Sequence, residues 1–158
     1  MNKVIFLIFL VFADQLSKYF VVKNLSIGES FNIFSFLDLY LILNTGIAFS
    51  FFDDGGVYGR WILVTLVLLV CVYLTYILFT EKLRKYESVA LLMILSGGIG
   101  NLIDRTLWGH VIDFIHFYYL NYSFYIFNFA DTFITIGVMI YILDLLMVKL
   151  NSDGNKAS

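Results

Sequence analysis

The sequence predicts an all-α membrane protein of four transmembrane helices, with a small extracytoplasmic β-cradle and an interfacial aromatic segment. Three observations carry that expectation. Of 158 residues, 61% are hydrophobic and 14% charged, whereas soluble domains sit nearer half apolar and a quarter charged. Aromatic residues reach 19%, with 17 Phe and 11 Tyr, a bias suited to lipid contact and headgroup belts. Four apolar stretches, 4–22, 61–80, 88–103 and 127–148, approach the roughly 20 residues that span a hydrocarbon core.

The first stretch carries Asp14, Gln15, Ser17 and Lys18 in its second half. Its apolar character resumes after Lys18, which favours a retained span over a cleaved signal peptide. Residues 24–59 alternate short apolar runs with turn signals such as Ile27-Gly28 and Asp53-Asp54-Gly55-Gly56, the pattern of a strand-rich platform. Glu29, Asp38, Asp53 and Asp54 read there as solvated loop charges, and 49–58 as a lid. The second span is free of charge, so Cys71 within it reads as an inert apolar thiol. The third runs into Asn101, Asp104 and Arg105. Residues 106–126 hold seven Phe and Tyr and are expected to lie in the interface. The fourth opens on Asn128, Asp131, Thr132 and Thr135. Residues 1–150 therefore form a single membrane domain, with 151–158 a disordered tail.

Charge bias sets the orientation. Lys3, Lys82, Arg84, Lys85, Lys149 and Lys156 fall on one side, against Lys23, Arg60 and Arg105 on the other. Both termini are therefore expected to be cytoplasmic. A net charge of −2 without a basic patch argues against nucleic-acid binding. His110 and His116 lack the spacing of a helical zinc pair, and no cofactor or metal is expected. No Ser or Cys stands in the pattern of a nucleophile with its base.

Ionisable groups inside spanning helices are costly and normally face a bundle interior or a wet cavity. Asp14, Ser17 and Lys18 share one helical face, and Asp14 with Lys18 reads as an internal ion pair. Gly97, Asn101, Asp104 and Arg105 share another, as do Asn128, Asp131, Thr132 and Thr135. Asp104 beside Arg105 also fits a helix-end pair, and Asn128 before Asp131 a helix cap. All these stripes fall toward the extracytoplasmic side. Asp113 joins them from Val111-Ile112-Asp113-Phe114, a carboxylate among apolar neighbours. Two carboxyl groups held close in a dry site cannot both ionise, so Asp113 and Asp131 form the candidate general acid and base. An intramembrane protease of the presenilin type pairs its acid with G-x-G-D, where this chain has Gly98-Ile99-Gly100-Asn101. A small transporter would carry polar groups to both faces, but Asp144 is the only deep acid on the other side.

At these residues the chain resembles the lipoprotein signal peptidases, or signal peptidase II. Asp14-Gln15-Leu16-Ser17-Lys18 is similar to the family's D-Q-x-[ST]-K, and Asn44-Thr45-Gly46-Ile47-Ala48-Phe49 to N-x-G-x-A-[FW]. The run 97–105 resembles G-[GA]-x-x-G-N-x-x-D-R, with V-[VI]-D-F at 111–114 and F-N-x-A-D at 127–131. The resemblance implies cleavage of a prolipoprotein signal peptide just before the diacylglyceryl-modified cysteine, with Asp113 and Asp131 as catalytic aspartates. It also implies that Asn44, Gly46, Asn101, Arg105 and Asn128 orient substrate, while Asp14, Lys18 and Asp104 brace the site. Expected partners are prolipoproteins, membrane lipids and globomycin-type cyclic peptides, with a monomer in the bacterial inner membrane. Tyr125 stands where many members have proline, which concerns the angle at which the chain enters its fourth helix.

Overall fold

The computed structural model describes residues 2–46, 56–120 and 122–156. Four helices, α1 (Lys3–Asn24), α2 (Gly56–Thr80), α3 (Lys85–Leu107) and α4 (Phe129–Lys156), are each long and apolar enough to cross a membrane. Strands β1 (Ser30–Phe34) and β2 (Leu37–Asn44) follow α1, and β3 (Val111–Tyr119) and β4 (Tyr122–Phe127) join α3 to α4. They form one antiparallel sheet in chain order.

Helix α3 is the hub and packs against the other three. Small residues permit this, because a membrane offers no hydrophobic drive between helices and close backbone approach must supply the packing. At Gly97 an added Cβ would run into the Ala130 carbonyl and the Ile134 side chain of α4. Leu78, Leu91, Leu92 and Leu95 make one apolar core between α2 and α3. A second, of Val21, Leu41, Ile112 and Phe114, seats the sheet on the end of α1. Most other large apolar side chains point outward, among them Phe9, Phe12, Leu69 and Tyr73, as helices facing lipid require.

Arg60, in the first turns of α2, closes the sheet end of α3. Its Nε donates to the Arg105 carbonyl (2.8 Å) and its Nη2 to the Thr106 carbonyl (2.7 Å), satisfying carbonyls that a helix end leaves free. The guanidinium lies where a side chain at Gly109 would sit, and Gly109 adopts φ +83°, the left-handed turn that ends helices. At the opposite end Lys3 Nζ donates to the Leu78 carbonyl (2.5 Å), and Arg84 before α3 pairs with Asp144 of α4 (2.8 Å).

Several sequence expectations change in detail. The aromatic segment 106–126 is for the most part a β-hairpin that joins the strands of the platform in one sheet: β3 pairs with β2, and β4 covers its other edge. Asp38 is a strand residue, not a loop charge, and accepts hydrogen bonds from Ser30, Asn32 and Tyr118 across three strands. The tail expected to be disordered from 151 is helical as far as Lys156. Extending an established helix adds a hydrogen bond per residue, and no proline stops it. Asp53, Asp54 and residues 49–55 of the expected lid lie outside the described residues, as do 47–49 of the N-x-G-x-A-[FW] segment.

Candidate active site

Each group of the site stands at the junction of bundle and sheet, built on three helices and two strands. Asp14 and Lys18, one turn apart on α1, are an ion pair of 2.8 Å with both side chains buried. Lys18 Nζ also lies 2.8 Å from Asp104 Oδ2 and donates to Asn101 Oδ1 (3.2 Å), both on α3. A lysine buried this deeply needs polar partners in place of water, and two aspartate side chains plus an amide supply them here. Asp14 in turn accepts the Ala130 backbone N–H through Oδ1 (2.8 Å), so it holds the first turn of α4. The approach leaves no room for a side chain at position 100: a Cβ on Gly100 would stand 2.5 Å from Asp14 Oδ2.

Above this layer Asn128 joins the two candidate catalytic acids. It caps α4, its Oδ1 accepting the Asp131 N–H (2.9 Å), while Asp131 Oδ2 accepts the Asn128 N–H (3.3 Å). The cap predicted from spacing is therefore present, and the same side chain does more. Its Nδ2 lies 2.6 Å from Asp113 Oδ1 on β3, 3.1 Å from Asn101 Oδ1 and 3.3 Å from the Ile112 carbonyl. Asn44 on β2 donates to the other Asp113 oxygen (2.9 Å) and accepts the Gly46 N–H (3.1 Å). Asn101 donates to Asp131 Oδ1 (2.8 Å). Asp113 is almost fully buried, whereas half-buried Asp131 opens onto a cavity of about 410 Å³ bounded by Phe127, Thr132, Thr135 and Ile136.

Four carboxyl groups, Asp14, Asp104, Asp113 and Asp131, share this region with two cations, Lys18 and Arg105. Burial pushes the Asp113 carboxyl up from 3.8 to about 6; the nearby Asp131 charge adds to the rise, against the opposing hydrogen bonds of Asn44 and Asn128. Arg105 makes no ion pair among the described residues. Its Nη2 reaches the Gly46 carbonyl only at 3.5 Å, and its buried Nε has no hydrogen-bond partner there.

All the site residues expected from sequence thus fall in one connected network, but their pairing differs. Asp104 bonds Lys18 across the bundle instead of its neighbour Arg105. Two contributors escape the sequence pattern. Gln15 Nε2 lies within 3.2 Å of Asp14 Oδ2, Asp104 Oδ1 and the Gly100 carbonyl, stitching α1 to α3. Arg60 fixes the backbone that carries Arg105. Gln15 stands inside the first motif, so a polar residue beside a buried acid is the available signal; Arg60 offers none. Among the described residues no three His, Cys, Asp or Glu side chains gather as a metal site.

The chain is similar to known proteins over most of its length. A family model described as Signal peptidase (SPase) II covers residues 6–147. The chain is 39% identical over 139 residues to a lipoprotein signal peptidase of Cupriavidus pinatubonensis, covering 88% of this chain and 79% of that one. It is 40% identical over 151 residues to that of Rickettsia bellii, covering 93% and 76%. Among solved structures, a bacterial membrane enzyme determined by the in meso method at 2.3 Å is similar, with a TM-score of 0.79 and 32% identity over 95% of this chain and 90% of that one.

Proposed function

The chain belongs to the signal peptidase II family, and from that membership we propose that it removes signal peptides from diacylglyceryl-modified prolipoproteins through an Asp113–Asp131 dyad. The observation that carries the residue assignment is Asn128, a single buried amide tied to the Asp113 carboxyl through Nδ2 and to the Asp131 backbone through Oδ1. One aspartate, ionised, takes a proton from a water whose oxygen adds to the carbonyl carbon before the lipidated cysteine. The other, protonated, donates to the departing nitrogen as the C–N bond breaks. The products are a signal peptide carboxylate and a free cysteine α-amine.

Arg105, whose Nε lacks a partner among the described residues, is suited to the carbonyl oxygen as negative charge grows on it. Asn44, Gly46 and Asn101 orient substrate and dyad, with Asp14, Lys18 and Asp104 as the brace. The enzyme works as a monomer in the bacterial inner membrane, with both termini cytoplasmic and the sheet and dyad on the extracytoplasmic side; globomycin-type cyclic peptides occupy the same site. The test is cleavage of a lipobox peptide by the reconstituted protein. The lipidated form should be cut and the unlipidated form spared, and Asp113→Asn or Asp131→Asn should lower turnover by at least roughly 10²–10⁴-fold with the fold intact. Wild-type turnover in either variant would remove the dyad assignment, and cleavage of neither peptide by the parent would remove the substrate assignment.

A further inference from the structure

Behind the sheet lies a cavity that the proposed chemistry does not use. It has a volume of about 530 Å³, and its walls include Val22 of α1, Leu41 and Leu43 of β2, Leu107 at the end of α3, and Ile112 of β3. Successive strand residues point to opposite faces. Leu43 is paired with Ile112, while the next positions along the two strands, Asn44 and Asp113, belong to the active site. The cavity and the dyad therefore stand on opposite faces, with the Lys18–Asp104 layer between them. Gln15, Lys18 and Asp104 also line the cavity, which thus abuts the groups that brace the site.

We propose that this cavity holds one acyl chain of a bilayer phospholipid. It is largely preformed and apolar with a few polar groups, within the roughly 300–1,000 Å³ typical of ligand sites. Its rim is continuous with the membrane-facing surface: Tyr19 and Val22 on α1, and Leu107 and Trp108 at the end of α3, line it and are well exposed. Tyr19 and Trp108 are the ring types that settle at headgroup level. Lys23, stacked over the Tyr19 ring at 5.9 Å, supplies a cation for a phosphate at that depth. Ser26 and His110 add polar groups to the lining. The chains of a substrate cysteine held at Asp113 would be on the other side of the sheet, which is why the occupant is a membrane lipid. A chain seated against Gln15 and Lys18 would make the brace, and through it the dyad, responsive to lipid.

Trp61 and Trp108 are the only two tryptophans, so Trp61→Phe makes Trp108 the sole reporter. The full-length protein in detergent is titrated with a phosphatidylglycerol brominated along its acyl chains. Trp108 quenching should saturate at a single lipid per protein. Filling the cavity with Val22→Phe and Leu43→Phe should abolish the saturating phase, with helical circular dichroism checking the fold. Lys23→Gln should raise the half-saturating concentration about fivefold. Quenching that rises without saturation overturns the proposal, as does a saturating phase unchanged in the filled variant or, if that variant fails to fold, by Lys23→Gln. A diacylglyceryl lipobox peptide should leave quenching unchanged; displacement by it would assign the cavity to substrate chains. Since the readout is binding, failure here leaves the peptidase reading standing, and loss of peptidase activity leaves this one standing.

Discussion

Among the described residues the bundle contains two sets of ion-paired charges between helices, and they are built differently. At the sheet end Lys18, Asp14 and Asp104 are at most 1% exposed, join α1 to α3, and are satisfied by further bonds from Gln15, Ala130 and Ile112. At the end bearing the termini Arg84 and Asp144 join α3 to α4 across 2.8 Å, but the Arg84 side chain is 39% exposed. Among the described residues Asp144 Oδ2 has no aligned hydrogen bond, and neither has Arg84 Nη1. A charge withdrawn from water is retained only where its surroundings replace the lost solvation in full. The first set meets that condition and sits under the dyad, whereas the second relies on partial exposure and has only a helix pair to hold.

The largest effect should follow from breaking the first set. Lys18→Met leaves two buried carboxyl groups facing each other and should cost about 3–5 kcal/mol of stability, the range for orphaning a buried charge. Adding Asp14→Asn should restore part of the loss. Chemical unfolding in micelles measures both, and a loss below about 1 kcal/mol would place Lys18 among exposed surface pairs instead.

Much of this contrast is legible in the amino-acid sequence. Polar residues at helical spacing locate the stripes on α1, α3 and α4, and the same spacing yields the Asp14–Lys18 pair. Partners across helices are not legible, because periodicity fixes which face a residue occupies and says nothing of the helix it meets. Spacing therefore matches Asp104 with Arg105, and the Ala130 N–H, a backbone group, leaves no trace in the sequence. The hairpin β3–β4 is hidden for a related reason. Its strands are aromatic on both faces, so the alternation that marks a half-buried strand is blurred. The role of Asp38 is hidden with it, since its partner Tyr118 belongs to that hairpin.

A second prediction uses the carboxyl that the brace supports. Asp113 binds its proton more tightly in the fold, at about 6, than at its ordinary 3.8. Stability from this group is thus fully present below about pH 4, is lost as pH rises toward 6, and stays lost above that. A shift of about two units corresponds to on the order of 3 kcal/mol. Unfolding measured between pH 4 and 7 should fall by that order in the parent and much less in Asp113→Asn. If the dyad shares one proton, kcat/KM should also show a limb near pH 6; a parent unfolding free energy flat over that window would contradict the shift.

The smallest effects belong to the second set, and they should be unequal. Arg84→Met strands Asp144, which is buried, whereas Asp144→Asn strands an arginine that still reaches solvent and lies 3.4 Å from Glu87. Arg84 is itself open to solvent, so its loss lets water reach Asp144, and the first substitution should cost about 1 kcal/mol, near the upper limit for exposed pairs, and the second only a few tenths. Because neither residue touches the network around Asp113, kcat should be unchanged in both. Equal costs for the two variants would mean that the pair's value lies in its mutual attraction rather than in the desolvation of Asp144. A fall in kcat would mean that the α3–α4 contact at this end sets the position of Asp131, about half the length of α4 away.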